Sequence, residues 1–314
     1  MRPPVAVPIP AVFNGTSGAL ILAVASTAIF ATMHALVRHV SGTLHPFEIA
    51  FFRSIFGLAA VAPLMWRVGP SVFVSRNPRL LAVRGVVGGL SLMTWFYGLS
   101  IVPIATATAL SFTSVIFASI GAAVFLKERM RLRRWTAVVL GFVGVLVIVR
   151  PGLTVFDPGS LVIVLAAILW GVGIVLVKTI ARTDETVTIV AWSALWLIVA
   201  TAIPAWLVWI TPTWTQLAWL IVIGVFGTVG TFAWTQALKT ADASLVIPTD
   251  FTRLVWAGAI GFAAFGEIPD RWMWVGAALI IGSTLYIGLR ESKLAREGKL
   301  TPGSGSKDSD PDAK

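Results

Sequence analysis

The sequence predicts an all-α membrane protein with ten transmembrane helices, arranged as two inverted five-helix repeats around a central cavity. Three observations predict this fold class: the composition, the placement of lysine and arginine, and an internal repetition. Of 314 residues 57% are hydrophobic and 12% are charged, and the mean hydropathy is +0.89. Because soluble domains carry about 25% charged residues, most of the chain is expected to lie in a lipid bilayer.

Apolar stretches long enough to cross a bilayer follow one another along the chain. A transmembrane helix needs about 20 predominantly apolar residues, and these runs are too long and too little alternating for barrel strands. The first run is longer than the apolar part of a signal peptide, so it is predicted to be the first helix. The predicted helices cover residues 17–37, 47–66, 80–99, 104–126, 133–149, 159–179, 187–209, 216–237, 244–265 and 272–289.

Lysine and arginine accumulate on one side of the predicted spans. Seventeen of them fall on that side, and only Arg38, Arg150 and Arg271 fall on the other. The positive-inside rule therefore places both termini in the cytoplasm, and a bacterial inner membrane is the expected location. Residues 1–16 and 291–314 are predicted to be cytoplasmic and mostly disordered. The basic residues flank apolar runs rather than one soluble face, so nucleic acid is not an expected partner.

The second half of the chain repeats the first. Residues 81–148 align with 220–287 at a constant offset of 139, with 15 identities in 68 positions. The identical pairs include Gly85/Gly224, Gly88/Gly227, Trp95/Trp234, Phe112/Phe251, Thr113/Thr252, Glu128/Glu267 and Trp135/Trp274. The first helix aligns with the sixth at an offset of 140, where Arg38 meets Lys178. The predicted repeats are residues 17–150 and 151–290.

Five spans are an odd number, so the second repeat must enter the membrane from the opposite side. Inverted repeats are associated with alternating access. The pattern therefore favours a secondary transporter of a small solute. A channel and a membrane scaffold without transport activity are the alternatives.

Several short motifs resemble the drug/metabolite transporter superfamily, specifically its EamA-type ten-helix exporters. They are Trp95-Phe96-Tyr97-Gly98-Leu99, Leu169-Trp170-Gly171 with Lys178, Arg53, the glutamates Glu128 and Glu267, and the small residues Ala137 and Gly276. The resemblance implies a cavity walled by the first, third, fourth, sixth, eighth and ninth spans. It also implies export of amino acids and other small metabolites, and we expect neutral amino acids with aromatic or apolar side chains.

Ionisable residues inside the predicted spans are candidates for the substrate site, because a charge at the membrane centre costs about 2.5–3.5 kcal/mol. Asp250 and Arg253 lie three residues apart and share a helix face. Their repeat equivalents are Ser111 and Ser114, so the repeat architecture does not require the charges. The pair is predicted to exchange partners with a zwitterion, and a purely structural ion pair is the alternative.

Two further ionisable residues are assigned different roles. His34 is either a packed histidine or a substrate contact and proton acceptor, since imidazole titrates near neutral pH. Arg53 is predicted to be structural, with Glu48 five residues away as a candidate partner.

Three tryptophans inside the predicted cavity helices, Trp95, Trp170 and Trp234, are expected to receive an apolar or aromatic part of the substrate. Thr113, Thr252 and Ser111 complete the candidate site. Seven other tryptophans are predicted at the membrane interfaces: Trp66, Trp135, Trp206, Trp209, Trp214, Trp272 and Trp274.

The sequence does not favour an enzyme. It has no cysteine, no HExxH motif and no nucleotide-binding P-loop, and only one carboxylate, that of Asp250, lies well inside a span. We therefore expect no cofactor and no metal, and we expect a small-molecule substrate and the lipid bilayer as partners.

Overall fold

The computed structural model describes residues 16–69, 73–125, 132–149, 158–180, 183–184, 186–240 and 246–296. The predicted disordered ends, apart from the last turns of the final helix, lie outside these residues. The side chains of Glu128, Lys178 and Ala137 also lie outside them, so those parts of the family resemblance stay predictions.

The described residues form eleven α-helices and one short 3-10 helix. The first repeat contains α1 (Thr16–Val40), α2 (Pro46–Val68), α3 (Pro78–Ile101), α4 (Ile104–Ser111), α5 (Ser114–Phe125) and α6 (Leu132–Val149). The second contains α7 (Pro158–Ile180), α8 (Thr186–Leu207), α9 (Trp214–Thr240), the 3-10 helix (Ile247–Phe251), α10 (Thr252–Phe265) and α11 (Arg271–Arg296). Since α4 continues into α5 and the 3-10 helix into α10, these elements make ten spans, as predicted.

Within the described residues, six segments are long and apolar enough to cross a membrane by length and composition alone. They are Ser17–Val40, Pro78–Ile101, Ile104–Phe125, Pro158–Val177, Thr188–Leu207 and Trp214–Leu238. All seven tryptophans predicted at the interfaces are exposed on the protein surface, where an indole ring can reach the lipid headgroups.

The fourth span of each repeat is interrupted at the same aligned position. In the first repeat α4 ends before Phe112-Thr113, and in the second the 3-10 helix becomes α10 at Phe251-Thr252. Thr113 Oγ1 donates to the carbonyl of Leu110 at 2.6 Å, and Thr252 Oγ1 donates to that of Thr249 at 2.7 Å. Because these hydroxyls bond to carbonyls three residues earlier, they compete with the regular helical hydrogen bonds.

The packing of the spans follows the repeat. A Cβ atom on Gly85 of α3 would overlap the Cβ of Trp196 in α8, and one on Gly224 of α9 would overlap the Cβ of Phe56 in α2. Gly85 and Gly224 are aligned at the offset of 139, and Phe56 and Trp196 at the offset of 140. The two contacts are thus equivalent, and each helix pair approaches closely through a glycine.

The most extensive helix–helix contacts are between the two repeats. Helix α1 packs along α9 and α10, while its equivalent α7 packs along α3 and α5. Helices α6 and α11 form a peripheral pair in which Gly144 and Gly276 bring the two backbones together. At the end of α10, Gly266 adopts a φ of 64°, the left-handed conformation that glycine tolerates best at a helix C-terminus.

Loops at opposite ends of the bundle are also held by acidic side chains. At one end Asp184 accepts hydrogen bonds from the Arg76 backbone N–H at 2.9 Å and, together with Thr183, from the Asn77 side chain. The hydrogen bond from Ser75, together with those from Arg76, Thr183 and Asn77, lowers the pKa of Asp184. At the other end Glu48 Oε2 accepts from the Ile210 N–H at 3.3 Å.

Candidate functional site

His34 and Trp95 form a buried aromatic pair between α1 and α3. Trp95 Nε1 donates to His34 Nε2 at 3.3 Å, and the ring centroids lie 5.2 Å apart in an edge-on arrangement. His34 is only 5% exposed. The hydrogen bond leaves Nδ1 as the atom that carries the proton in the neutral ring. This Nδ1 is buried and has no partner among the described residues.

Asp250 and Arg253 form the ion pair that their spacing predicts. Arg253 Nη2 lies 3.3 Å from Asp250 Oδ2. The guanidinium also stands over the ring of Phe112, 5.2 Å from its centroid, at a distance typical of a cation–π contact. Phe112 meets its own repeat equivalent, Phe251, edge-on with centroids 4.9 Å apart. The interrupted fourth and ninth spans therefore meet beside the ion pair.

Arg53 reaches into the same region from α2. A Cβ atom on Gly227 of α9 would lie 3.1 Å from Arg53 Nη2, 3.2 Å from its Nε and 3.2 Å from Met33 Sδ. Met33 directly precedes His34 in α1, so Arg53 approaches α1 near the histidine. The structure thus places basic side chains of α1, α2 and α10 in the region where the two repeats meet, and Arg253 has Asp250 as its acidic partner.

The unsatisfied side-chain atoms of His34, Arg53 and Arg253 are hydrogen-bond donors. Arg53 Nε, Arg253 Nε and His34 Nδ1 are buried and have no partner within the part of the chain that the structure describes. Buried donors without partners are costly and rare in folded proteins. An acceptor such as a carboxylate would satisfy them, so the arrangement is suited to an anionic group of a ligand.

Two hydroxyl groups connect α1 to the second repeat next to this region. Thr27 and Thr252 share a hydrogen bond of 2.8 Å between their Oγ1 atoms. Ser26 Oγ donates to the Gly230 carbonyl at 2.8 Å. Thr252 therefore positions the first turn of α10, which carries Arg253, against α1.

The other predicted site residues lie apart from this cluster. Ser111 Oγ donates to the Thr108 carbonyl within its own helix, and Thr113 is buried with its hydroxyl on the Leu110 carbonyl. Trp234 packs against a separate apolar cluster of Ala23, Ala237 and Val246. Trp170 is 57% exposed, whereas Phe30, its equivalent in α1, packs against Gly230.

A polar network closes the end of the bundle next to His34. Arg38 forms an ion pair of 2.8 Å with Glu267 and donates to the carbonyls of Leu99 and Val102. Glu267 Oε2 in turn accepts from the Ile104 N–H at 2.9 Å. The network joins the end of α1, the α3–α4 connection and the segment after α10, so it spans both repeats.

Comparison with known families decides the identity of this architecture. The EamA-like transporter family matches residues 17–150 and again residues 157–289. The chain belongs to the EamA-like transporter family. The resemblance and the fold class predicted from the sequence are confirmed, and the two matches coincide with the two repeats.

Relatives of this chain are named for different solutes. The chain is 32% identical over 256 residues to the S-adenosylmethionine uptake transporter of Rickettsia bellii, covering 82% of this chain and 88% of that protein. It is 32% identical to the riboflavin transporter of Rhizobium johnstonii (79% and 82% covered) and 30% identical to the pseudopaline exporter of Pseudomonas aeruginosa (83% and 93% covered).

A solved crystal structure shares the fold. It matches with a TM-score of 0.60 and 21% identity, covering 89% of this chain and 99% of that chain.

The surroundings of Arg53 in this EamA protein differ from the sequence prediction. Glu48 binds the Ile210 N–H instead of Arg53. Residues five apart on a helix point about 140° away from each other, since each residue turns the helix by about 100°. That spacing was the available signal that Glu48 is not the partner of Arg53.

Proposed function

We propose that this EamA protein is a secondary transporter that moves amino-acid-like metabolites across the cytoplasmic membrane by alternating access. The preferred substrates carry a carboxylate, an amino group and an aromatic or apolar part. Neutral amino acids of this kind, moved outward, remain the specific expectation.

The observation that carries the proposal is the set of three buried donors without partners, on His34, Arg53 and Arg253. A substrate carboxylate supplies the acceptor that these groups lack. Asp250, the acidic partner of Arg253, supplies an anion for a substrate ammonium group. A zwitterion that exchanges partners with the Asp250–Arg253 pair leaves the net charge of the site unchanged, which limits the cost of burying it.

The aromatic side chains near the candidate site support the proposal that the substrate has an aromatic or apolar part. Trp95, Phe112 and Phe251 present flat apolar rings around the charged groups. S-adenosylmethionine, named for one relative, combines an amino-acid end with an adenine ring and has both features. Riboflavin, named for another, has a flat ring system without a carboxylate. An uncharged flat heterocycle is therefore the second candidate, favoured by the aromatic rings alone.

Ligand-dependent thermal stabilisation of the purified full-length chain tests the substrate class. The probes are tryptophan, phenylalanine, S-adenosylmethionine, riboflavin and tryptamine, which is tryptophan without its carboxylate. We expect saturable stabilisation by tryptophan or S-adenosylmethionine and a much weaker effect of tryptamine. Stabilisation by riboflavin alone would favour the second candidate, and equal responses to tryptophan and tryptamine would contradict the role of the carboxylate.

A further inference from the structure

Arg53 lies inside α2 and extends toward the second repeat. It lies seven residues into α2, about 10 Å along the helix at 1.5 Å per residue. From there its guanidinium extends to Gly227, at the junction of α2, α9 and the Met33 side chain of α1. It therefore faces the region between the repeats rather than a membrane surface.

No acidic side chain among the described residues forms an ion pair with Arg53. Arg38 is paired with Glu267, and Arg253 is paired with Asp250. Within the described ranges Arg53 has no ion-pair partner, and its Nε is buried without a hydrogen bond. A charged residue inside a span without a fixed partner is expensive to retain, which argues for a transient partner.

The repeat provides an independent comparison. The position equivalent to Arg53 in α8 is Ser193, whose hydroxyl donates to the Ile189 carbonyl of its own helix. The helix packing is otherwise matched, as the Gly85–Trp196 and Gly224–Phe56 contacts show. The helix packing thus tolerates a small neutral residue at this position. The arginine therefore has a role that the two repeats do not share.

We propose that Arg53 is the anchor for the carboxylate of the substrate and that Gly227 keeps the space in which its guanidinium turns toward His34. This inference rests on the proposed function and assigns the contact with the substrate carboxylate to Arg53. The planar guanidinium offers two parallel N–H donors to a carboxylate, a geometry that a lysine ammonium cannot reproduce. Asp250 is then left to receive the ammonium group.

The chain contains a matched control for Arg53. Arg84 also lies inside a span with a buried Nε that lacks a partner, and its Nη1 would lie 2.9 Å from a Cβ on Gly88. Gly88 is the repeat equivalent of Gly227, but its other neighbour is Leu197 of α8. Arg84→Gln therefore removes the charge of an arginine that lies beside the equivalent glycine but outside the proposed site.

Affinities for labelled tryptophan and for competing tryptamine test the inference on wild-type protein, Arg53→Gln, Arg53→Lys and Arg84→Gln. We expect Arg53→Gln to weaken tryptophan binding by about tenfold or more, the usual effect of losing a hydrogen bond to a charged group. Tryptamine binding and the melting temperature should change little. The tryptophan affinity of Arg53→Lys should lie between those of the wild type and Arg53→Gln. Arg84→Gln should bind tryptophan like the wild type.

Three outcomes would contradict the inference. Wild-type affinity for tryptophan in Arg53→Gln would remove Arg53 from the site while leaving the proposed function intact. Equal weakening of tryptophan and tryptamine, together with a lower melting temperature, would assign Arg53 to structure alone. Absence of binding of every carboxylate probe by the wild-type protein would overturn the proposed function itself, and the inference with it.

Discussion

Asp250 Oδ2 lies 3.3 Å from Arg253 Nη2 inside the ninth span, one turn apart on the same helix face. The aligned residues of the first repeat are Ser111 and Ser114, and Ser111 uses its hydroxyl within its own helix. The pair is therefore a property of one repeat only. Its partial exposure leaves both side chains available to a ligand.

The double variant Asp250→Ser with Arg253→Ser copies the first repeat and separates function from structure. We expect it to insert and fold but to lose transport or change its substrate preference. Asp250→Asn alone leaves Arg253 without its partner and should lower the free energy of unfolding by about 1–3 kcal/mol, less than for a fully buried pair. Thermal unfolding and transport assays check both expectations. Wild-type transport by the folded double variant would make the pair structural.

The equivalent glycine contacts predict equivalent costs of substitution. Gly85→Ala and Gly224→Ala push a methyl group into Trp196 and Phe56, respectively, and overpacking costs about 1–3 kcal/mol. Gly173→Ala and Gly282→Ala are the controls, because a Cβ at either position meets nothing within 4 Å. Melting temperatures should fall for the first two and stay nearly constant for the controls. A large difference between Gly85→Ala and Gly224→Ala would contradict the equivalence of the two halves.

The Arg38–Glu267 ion pair predicts strongly coupled substitutions. Each of Arg38→Gln and Glu267→Gln should destabilise the protein, because the remaining charge is left largely buried. The double variant should lose less than the sum of the two, with a coupling energy above about 0.5 kcal/mol. A double-mutant cycle of unfolding free energies measures this coupling. Additive effects would show that the two side chains act independently.

The difference in exposure between α1 and α7 can be tested by chemical labelling. Ile174 is 41% exposed, whereas its equivalent His34 is 5% exposed. Because the chain has no cysteine, a single Ile174→Cys variant can be labelled without background. We expect a membrane-impermeant maleimide to react with it and substrate to slow the reaction.

Val175→Cys is the control for this labelling, since Val175 is 6% exposed and packs against Gly121. It should react slowly with or without substrate. Protection of Ile174→Cys from every aqueous reagent would instead place that side chain in lipid.

Hydropathy and repetition predicted the helices because both signals extend over many residues. The first span was predicted at residues 17–37 and is observed at Thr16–Val40; the other ends differ by at most three residues, except that α11 continues to Arg296. The interruption at Phe112-Thr113 was not predicted, because the apolar run continues through it. At the interruption the backbone N–H groups of Phe112 and Thr113 bond to carbonyls three residues earlier, which hydropathy does not register.

The site was predictable only where its residues are neighbours in sequence. The spacing of Asp250 and Arg253 was sufficient to predict their ion pair. The position of Arg53 beside Gly227 and Met33 depends on how α1, α2 and α9 pack, and no local spacing records it. The contact between Phe112 and Phe251 likewise requires the two interrupted spans to face each other, although their identity in the repeat was visible.

Counterflow in proteoliposomes tests the central claim, that this chain transports amino-acid-like solutes by alternating access. The purified protein is reconstituted, the vesicles are loaded with unlabelled tryptophan, and entry of labelled tryptophan is followed. We predict a saturable, transient accumulation of label that is lost in the double variant Asp250→Ser with Arg253→Ser. Entry that rises linearly with concentration, or no entry of tryptophan, phenylalanine or S-adenosylmethionine, would contradict the account.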